Sequence, residues 1–357
     1  MSKLDKDDSI LVAEAKAKDP VVFFTDKEAL KKIKLVAVAH SFVERNMFPT
    51  KEAYEAEYEV VERASEVVEE IKKLGINAKT YPGNQYLLPN LLVDKPDFVL
   101  NLVDTLKGKD SLQTSVPAAL ELSNIPYTGA GMEGLVIGNN RNLFKHLLLS
   151  YQIDTPVFQF IRRVGTQVDE KLQLPLIVKL NESGGSVGIN NKAVQETLKD
   201  AQKKVDDMIS TYKIPVVVEQ FINGREITAV VYDDGTKNHV FMGEKIFKNM
   251  VDGKHYFTSF ESYSDPHAYK YKLVEEPLLN KLEALTIRAF NGLSNNDYAK
   301  FDIRIDEKGT PYFTDCNPNT AFGPDMGLPF TEVLALNNIS FAYTLTSLLS
   351  KYAKNLP

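Results

Sequence analysis

Apolar and polar residues alternate along the first third of the chain in a way that predicts short strands separated by helices. Leu35–Ala39 is an unbroken apolar run, as a parallel strand covered on both faces requires. Within residues 51–74, Val60, Ala64, Val67, Ile71 and Leu74 recur every three or four positions. They share one helix face, and Gly75 supplies the stop. Ile76–Tyr81 and Asp97–Val103 read as further strands, and Ser115–Ser123 as a helix with Pro117 in its first turn. The alternation predicts an open α/β sheet over residues 34–130.

The second half changes character. After a helix over Asn140–Tyr151, the strands Leu174–Leu180, Val216–Phe221, Glu226–Tyr232 and His239–Phe247 mostly follow one another. The turn residues Asp233-Asp234-Gly235 join the last two, so antiparallel pairing and an α+β unit are expected. A long irregular segment, Lys248–His267, precedes a helix over Pro277–Gly292. Structureless loops beyond about 12–15 residues are uncommon in compact domains unless they have a role, so this one is expected to be a lid. The expected division is an extension (1–33), an N-terminal α/β domain (34–130), a central unit (131–215) and a C-terminal unit (216–357).

Composition narrows the function classes. With 42 basic and 48 acidic residues the net charge is −6, and there is no dense Lys/Arg tract, which argues against nucleic acid or an anionic membrane as partner. The lone cysteine, Cys316, forms no internal disulfide, and the scattered histidines form no zinc-type cluster. The early apolar runs Ile10–Ala13 and Val21–Phe24 are too short for a signal segment or a membrane span, so a cytoplasmic protein is expected.

Residues 299–319 carry the clearest chemistry. They read as two strands joined by a turn at Asp306-Glu307-Lys308-Gly309. Pairing Asp306 with Gly309 sets Lys300 opposite Asp315 and Asp302 opposite Phe313. Lys300, Asp302, Asp315 and Asn317 then project from one face, and Phe301, Ile303 and Ile305 from the other. Asp302 and Asp315 become diagonal neighbours, roughly 7–8 Å apart at the backbone. Two carboxylates and an amide oxygen suit a hard cation such as magnesium, which keeps its other positions for water and substrate phosphate.

Two further stretches extend this picture. Leu176–Lys179 is a strand that runs into a loop with Gly184, Gly185 and Gly188 around Ser186, whose backbone N–H groups can approach phosphate oxygens beside the Lys179 charge. The loop matches neither the Walker nor the dinucleotide-binding pattern. The strand ending in Glu219 continues through Ile222 to a turn at Asn223-Gly224, and Glu226 follows. An acceptor and backbone groups could thereby meet an adenine edge, and Glu226 a ribose hydroxyl.

In this order the pieces resemble the ATP-grasp enzymes, and among them the D-alanine–D-alanine ligases, over residues 34–350. Asp302, Asp315 and Asn317 match that family's metal motif, and Asn101-Leu-Val, Val116–Glu121 and Ile125–Gly129 resemble its N-terminal domain. The resemblance implies an ATP-grasp fold and ATP held between two units, with magnesium, or manganese as an alternative. It implies a carboxylate activated as an acyl phosphate, an attacking amine, and small amino-acid or related substrates. It is compatible with a homodimer. Lys179 and Arg141 would touch phosphate, Ser186 would cover it, Glu219 and Ile222 would meet adenine, and Glu226 would hold ribose. Lys300, with Ser186, would act beside the acyl phosphate.

Asn140-Arg141 replaces the family's Asp-Lys on the phosphate side and Lys300 replaces an arginine, and charge is kept at both. The other departures fall on the amino-acid side: Gly185 stands where the ligases carry a serine over the first amino acid, and Pro318-Asn-Thr-Ala-Phe-Gly-Pro-Asp-Met-Gly replaces the usual Asn-Thr-x-Pro-Gly-Met. The N-terminal glutamate of that hydrogen-bonded set has only Glu44 as a stand-in, and its lid tyrosine has Tyr256 or Tyr263, with Lys254 nearby. Substrates other than two D-alanines are therefore expected, because a site built on hydrogen bonds loses discrimination when its partners vanish. The competing reading is a non-catalytic nucleotide-binding or partner-binding module on an ATP-grasp scaffold.

Overall fold

A computed structural model describes residues 21–265, 267–325 and 327–356. Residues 1–20 of the expected extension lie outside this range. Residues 21–33 are docked on the protein: the Phe23 ring stacks on Tyr343 at 5.1 Å, and the Phe23 N–H donates to the Tyr343 hydroxyl at 2.7 Å.

The N-terminal sheet is parallel, with Val36–Ser41 between Ala78–Gly83 and Phe98–Leu102. Every residue of Val36–Ser41 is buried, because helices and the rest of the chain cover both faces. The expected helix over 51–74 is interrupted. It forms Lys51–Glu55 and Val60–Lys73, with turns at 56–59. Val60, Ala64, Val67 and Ile71 are buried as the spacing predicts, whereas Leu74, beyond the last turn, is 38% exposed.

The other two sheets are antiparallel. One runs in the order Phe158–Ile161, Val216–Gln220, Leu176–Leu180, Val194–Gln195, with the helix Leu198–Tyr212 against it. Its counterpart runs Tyr269–Leu273, Asn238–Phe247, Arg225–Asp233, Tyr298–Ile305, Pro311–Asn317. The expected division at 215/216 would cut through the first of these, since Val216–Gln220 pairs with Leu176–Leu180. The passage between the sheets falls instead at 221–224, where the chain leaves one ladder before entering the next.

The strand Tyr269–Leu273 and the helices Leu87–Asp94, Leu198–Tyr212, Pro329–Leu336 and Phe341–Ala353 are additions to the sequence reading. Tyr269–Leu273 is an edge strand with alternating lysines, so it offers no apolar run to detect. Among the described residues no single helix is long and apolar enough to cross a membrane.

Candidate functional site

The hairpin Tyr298–Ile305/Pro311–Asn317 differs in register from the sequence expectation, with a chemical consequence. Asp306 pairs with Thr310 around a turn in which Gly309 takes φ +80°, and the Asp306 carboxylate accepts from the Lys308 and Thr310 N–H groups. A bulge then shifts the pairing, so that Asp302 lies directly opposite Asp315 and Lys300 opposite Asn317. Phe313 and Asp315, two positions apart, would share a face in a regular strand. The bulge at Thr314 lets the Phe313 ring join Phe301 in the core, at 5.9 Å, while Asp315 stays in the cleft.

Each acid of this pair already has a cation. Arg141 Nη2 is 2.6 Å from Asp315 Oδ2, and Lys300 Nζ is 2.5 Å from Asp302 Oδ2. Asp302 Oδ1 remains, buried and without a partner among the described residues. Opposed carboxylates, an orphaned oxygen and Asn317 at the next position form a donor set that fits a magnesium ion. The neighbouring Cys316 is packed in the core, where burial pushes its thiol up.

Arg141 reaches the pair because Asn140 caps its helix. The Asn140 side chain accepts from the Leu143 N–H at 3.0 Å. The guanidinium also donates to the carbonyls of Leu180, at 2.6 Å, and Ser183, at 3.0 Å, which ties the hairpin to the start of the glycine loop.

Glu219 is 1% exposed, with Lys179 at 2.6 Å from Oε1 and Lys145 at 2.5 Å from Oε2. Burial alone would push its carboxyl up. The Lys145 and Lys179 ammonium groups outweigh that and hold it at about 2. Glu219 thus braces Lys145 and Lys179, and both its oxygens are engaged by lysines. Glu226 is similar: against the upward push of burial, Lys245 and Arg304, both 2.9 Å away, hold it at about 2.

Sequence reasoning missed Lys145, Lys245 and Arg304. Arg304 continues the Lys300/Asp302 face, a signal that was present. Its guanidinium donates to the carbonyls of Ile222 and Tyr256 and lies 4.9 Å over the Phe221 ring, locking the passage between the sheets. Lys145 sits on an amphipathic helix, where nothing in the spacing separates a fully buried lysine from a solvated one.

The glycine loop is held from the N-terminal domain. Asp110 accepts from the Gly184 N–H at 2.7 Å and Glu52 from the Gly188 N–H at 2.8 Å. Gly185 and Ser186 both take positive φ, +58° and +57°, and their N–H groups have no acceptor among the described residues. Two successive free N–H groups beside Lys179 make an anion-binding concavity. A Cβ on Gly185 would lie 2.8 Å from Ala56 Cβ, so the close approach of the 56–59 turns excludes a serine there. We expect Gly185→Ser to lower stability by about 1–3 kcal/mol through this clash and the positive φ. An unchanged thermal midpoint would refute that account.

All the predicted nucleotide-, metal- and reaction-side residues line one cavity: Arg141, Lys179, Ser186, Glu219, Ile222, Glu226, Lys300, Asp302, Asp315 and Asn317. The amino-acid side is corrected. Glu44 is exposed and lies outside that lining, whereas Glu57, in the helix interruption next to Ala56, faces the cavity. The resemblance placed no residue there because the interruption is hidden within a continuous helical pattern. In the expected lid, Lys254 pairs at the surface with Glu196, Tyr256 is 39% exposed, and the Tyr263 side chain lies outside the described residues. Phe257 and Thr258 line the cavity instead, and Thr258 donates to Glu226.

Comparison with known proteins places this geometry. The family described as D-ala D-ala ligase C-terminus matches residues 155–342, more than half of the chain. The chain is 26% identical over 271 residues to a D-alanine--D-alanine ligase of Janthinobacterium sp. (strain Marseille), covering 73% of this chain and 81% of that protein. It is 29% identical over 263 residues to the corresponding ligase of Polaromonas naphthalenivorans, covering 71% and 77%. Among solved structures, the D-alanine--D-alanine ligase of Bacillus anthracis complexed with ATP superposes with a TM-score of 0.68 at 18% identity, over 90% of this chain and 98% of that one. The VanG D-Ala:D-Ser ligase of Enterococcus faecalis gives 0.67 at 16% identity, over 90% and 99%.

Proposed function

We propose, for a chain that belongs to the D-alanine–D-alanine ligase C-terminal family and has the ATP-grasp fold, that it is an ATP-dependent carboxylate–amine ligase working through an acyl phosphate. The observation that carries this reading is the convergence on one cavity of residues from all three sheets and their loops, with Asp302 opposed to Asp315. The substrates are small amino acids or related carboxylates and amines, and the compartment this implies is the cytoplasm.

In the reaction a substrate carboxylate oxygen attacks the γ-phosphorus and ADP leaves. The amine of the second substrate then attacks the acyl carbon, phosphate leaves, and the amine proton is lost. Lys179 and Arg141 hold phosphate oxygens, and the free N–H groups of Gly185 and Ser186 cover them. Glu219 acts by fixing Lys179, Ile222 offers its N–H to the base, and Glu226, ionised, accepts from ribose. Lys300, 12% exposed, adds charge where the phosphoryl group is transferred, as a point charge rather than a bidentate fork. Asp302, Asp315 and Asn317 would hold magnesium or manganese, which when bound offsets the negative charge of the phosphates.

Phosphate release from magnesium-ATP, measured across pairs of D- and L-amino acids and hydroxy acids with product masses, tests the reading. We expect release that depends on both substrates, and a product other than D-alanyl-D-alanine, because Gly185 supplies no hydroxyl to the first amino acid. ATP binding without release for any pair would favour the non-catalytic module. Exclusive formation of D-alanyl-D-alanine would refute the divergence in substrate.

A further inference from the structure

One end of the cavity, between the N-terminal sheet and the glycine loop, carries charge that the ligase reading leaves unassigned. Glu57 comes from the helix interruption, and Asp104 and Asp110 from the chain after the strand Phe98–Leu102. The Ser41 hydroxyl accepts from the Asp104 N–H at 3.0 Å and the Thr105 N–H at 2.9 Å, so this acidic loop is held in place at the strand ends.

Three carboxylates here work against one another. Burial raises Glu57 well above the ordinary carboxylate range, and Asp104 and Asp110 raise it further. Burial also lifts Asp104 to about 6, despite the pull of Arg63. Arg63 lines the same cavity and its charge pulls Glu57 and Asp104 down, without outweighing burial. Asp110 is partly compensated by the Gly184 N–H; at Glu57 the Thr105 hydroxyl opposes the rise only weakly, and Glu57 Oε2 is buried without a hydrogen-bond partner among the described residues.

A second, independent observation points to a ligand. Gln113 is 5% exposed and lines the same cavity, yet its amide has neither donor nor acceptor among the described residues. The amide is thereby open to a ligand in the cavity. The described acids do not close on a common point as metal ligands would, so a spread-out organic cation fits better than an ion.

We propose that this end of the cavity selects a substrate with a second positive charge: an amino acid bearing an ammonium or guanidinium group on its side chain. Its α-ammonium meets Glu57, its side-chain cation lies between Asp104 and Asp110, and Gln113 completes the hydrogen bonding. This rests on the ligase reading for the orientation of the carboxylate toward the phosphates. It also accounts for the loss of a neutral hydroxyl at Gly185, since charge replaces hydrogen bonding as the means of discrimination.

Calorimetry on the full chain, with magnesium and a non-hydrolysable ATP analogue, should compare 2,4-diaminobutyrate, ornithine and lysine with 2-aminobutyrate, norvaline and norleucine, both enantiomers of each. The cationic member of each pair should bind about tenfold or more tightly. Asp104→Asn should reduce that preference to less than about threefold without lowering the thermal midpoint, since it removes one of three like charges. Equal binding of charged and neutral members, or no binding by any, would overturn the proposal, as would an undiminished preference in the variant. Phosphate release separates the two readings: release confined to neutral substrates refutes the cationic substrate alone. Charge-selective binding with no release for any pair refutes the ligase alone.

Discussion

Asp315→Asn is expected to lower magnesium-dependent turnover by roughly 10²–10³. The substitution removes one of two opposed carboxylates, and with it the ion pair to Arg141, while keeping a hydrogen-bond acceptor for that guanidinium, which is 7% exposed. For that reason asparagine is a cleaner probe than alanine, which would also leave the guanidinium without an acceptor there. The fold should survive with a loss of about 1–2 kcal/mol, in the range of a weakened hydrogen bond. Steady-state rates over a magnesium titration, with circular dichroism as the control, provide the check. Wild-type turnover at ordinary magnesium would remove Asp315 from the metal site.

Glu219→Ala should destabilise the protein by about 3–5 kcal/mol, the range found when one partner of a buried ion pair is removed. Lys145, with no exposed side chain, and Lys179, 11% exposed, share this carboxylate, so its loss leaves two cations enclosed. The melting temperature should fall by at least ~6 °C. Combining Glu219→Leu with Lys145→Met should recover part of the loss, because one stranded charge goes with its partner. A melting temperature within a degree or two of wild type would show that the lysines find water or other acceptors.

The pH dependence follows from the same pair. Glu219 titrates at about 2 in the folded protein against an ordinary 4.5, so the folded state favours its charged form. Its contribution is complete above about 4.5 and disappears as the pH falls through about 2. Acid unfolding of the wild type should therefore steepen in that window, and the Glu219→Leu/Lys145→Met variant should show a shallower slope there.

Much of the nucleotide side is legible from residue order. A lysine at the end of an apolar strand, two glutamates around a short turn and a hairpin with acids on one face are local patterns, and local backbone geometry decides where such side chains point. The apolar face of Val60–Lys73 and the parallel strand Val36–Ser41 are legible for the same reason, since their periodicity records which face is covered.

What only the tertiary structure decided lies where distant segments meet. Lys145 is a buried brace because Glu219, from another element, packs against it, and nothing in its own helix marks that partner. The facing of Asp302 and Asp315 depends on a bulge set by Phe313 entering a core built from other strands. Glu57 reaches the cavity because its helix breaks where it passes the glycine loop, with Ala56 against Gly185. Sequence by itself determined the elements and the faces their side chains take, because these follow from the repeat of a single strand or helix. Which charges are neutralised, which acids oppose one another and which end of the cavity is acidic were decided by packing, because burial and Coulomb energy depend on distances between segments far apart in the chain.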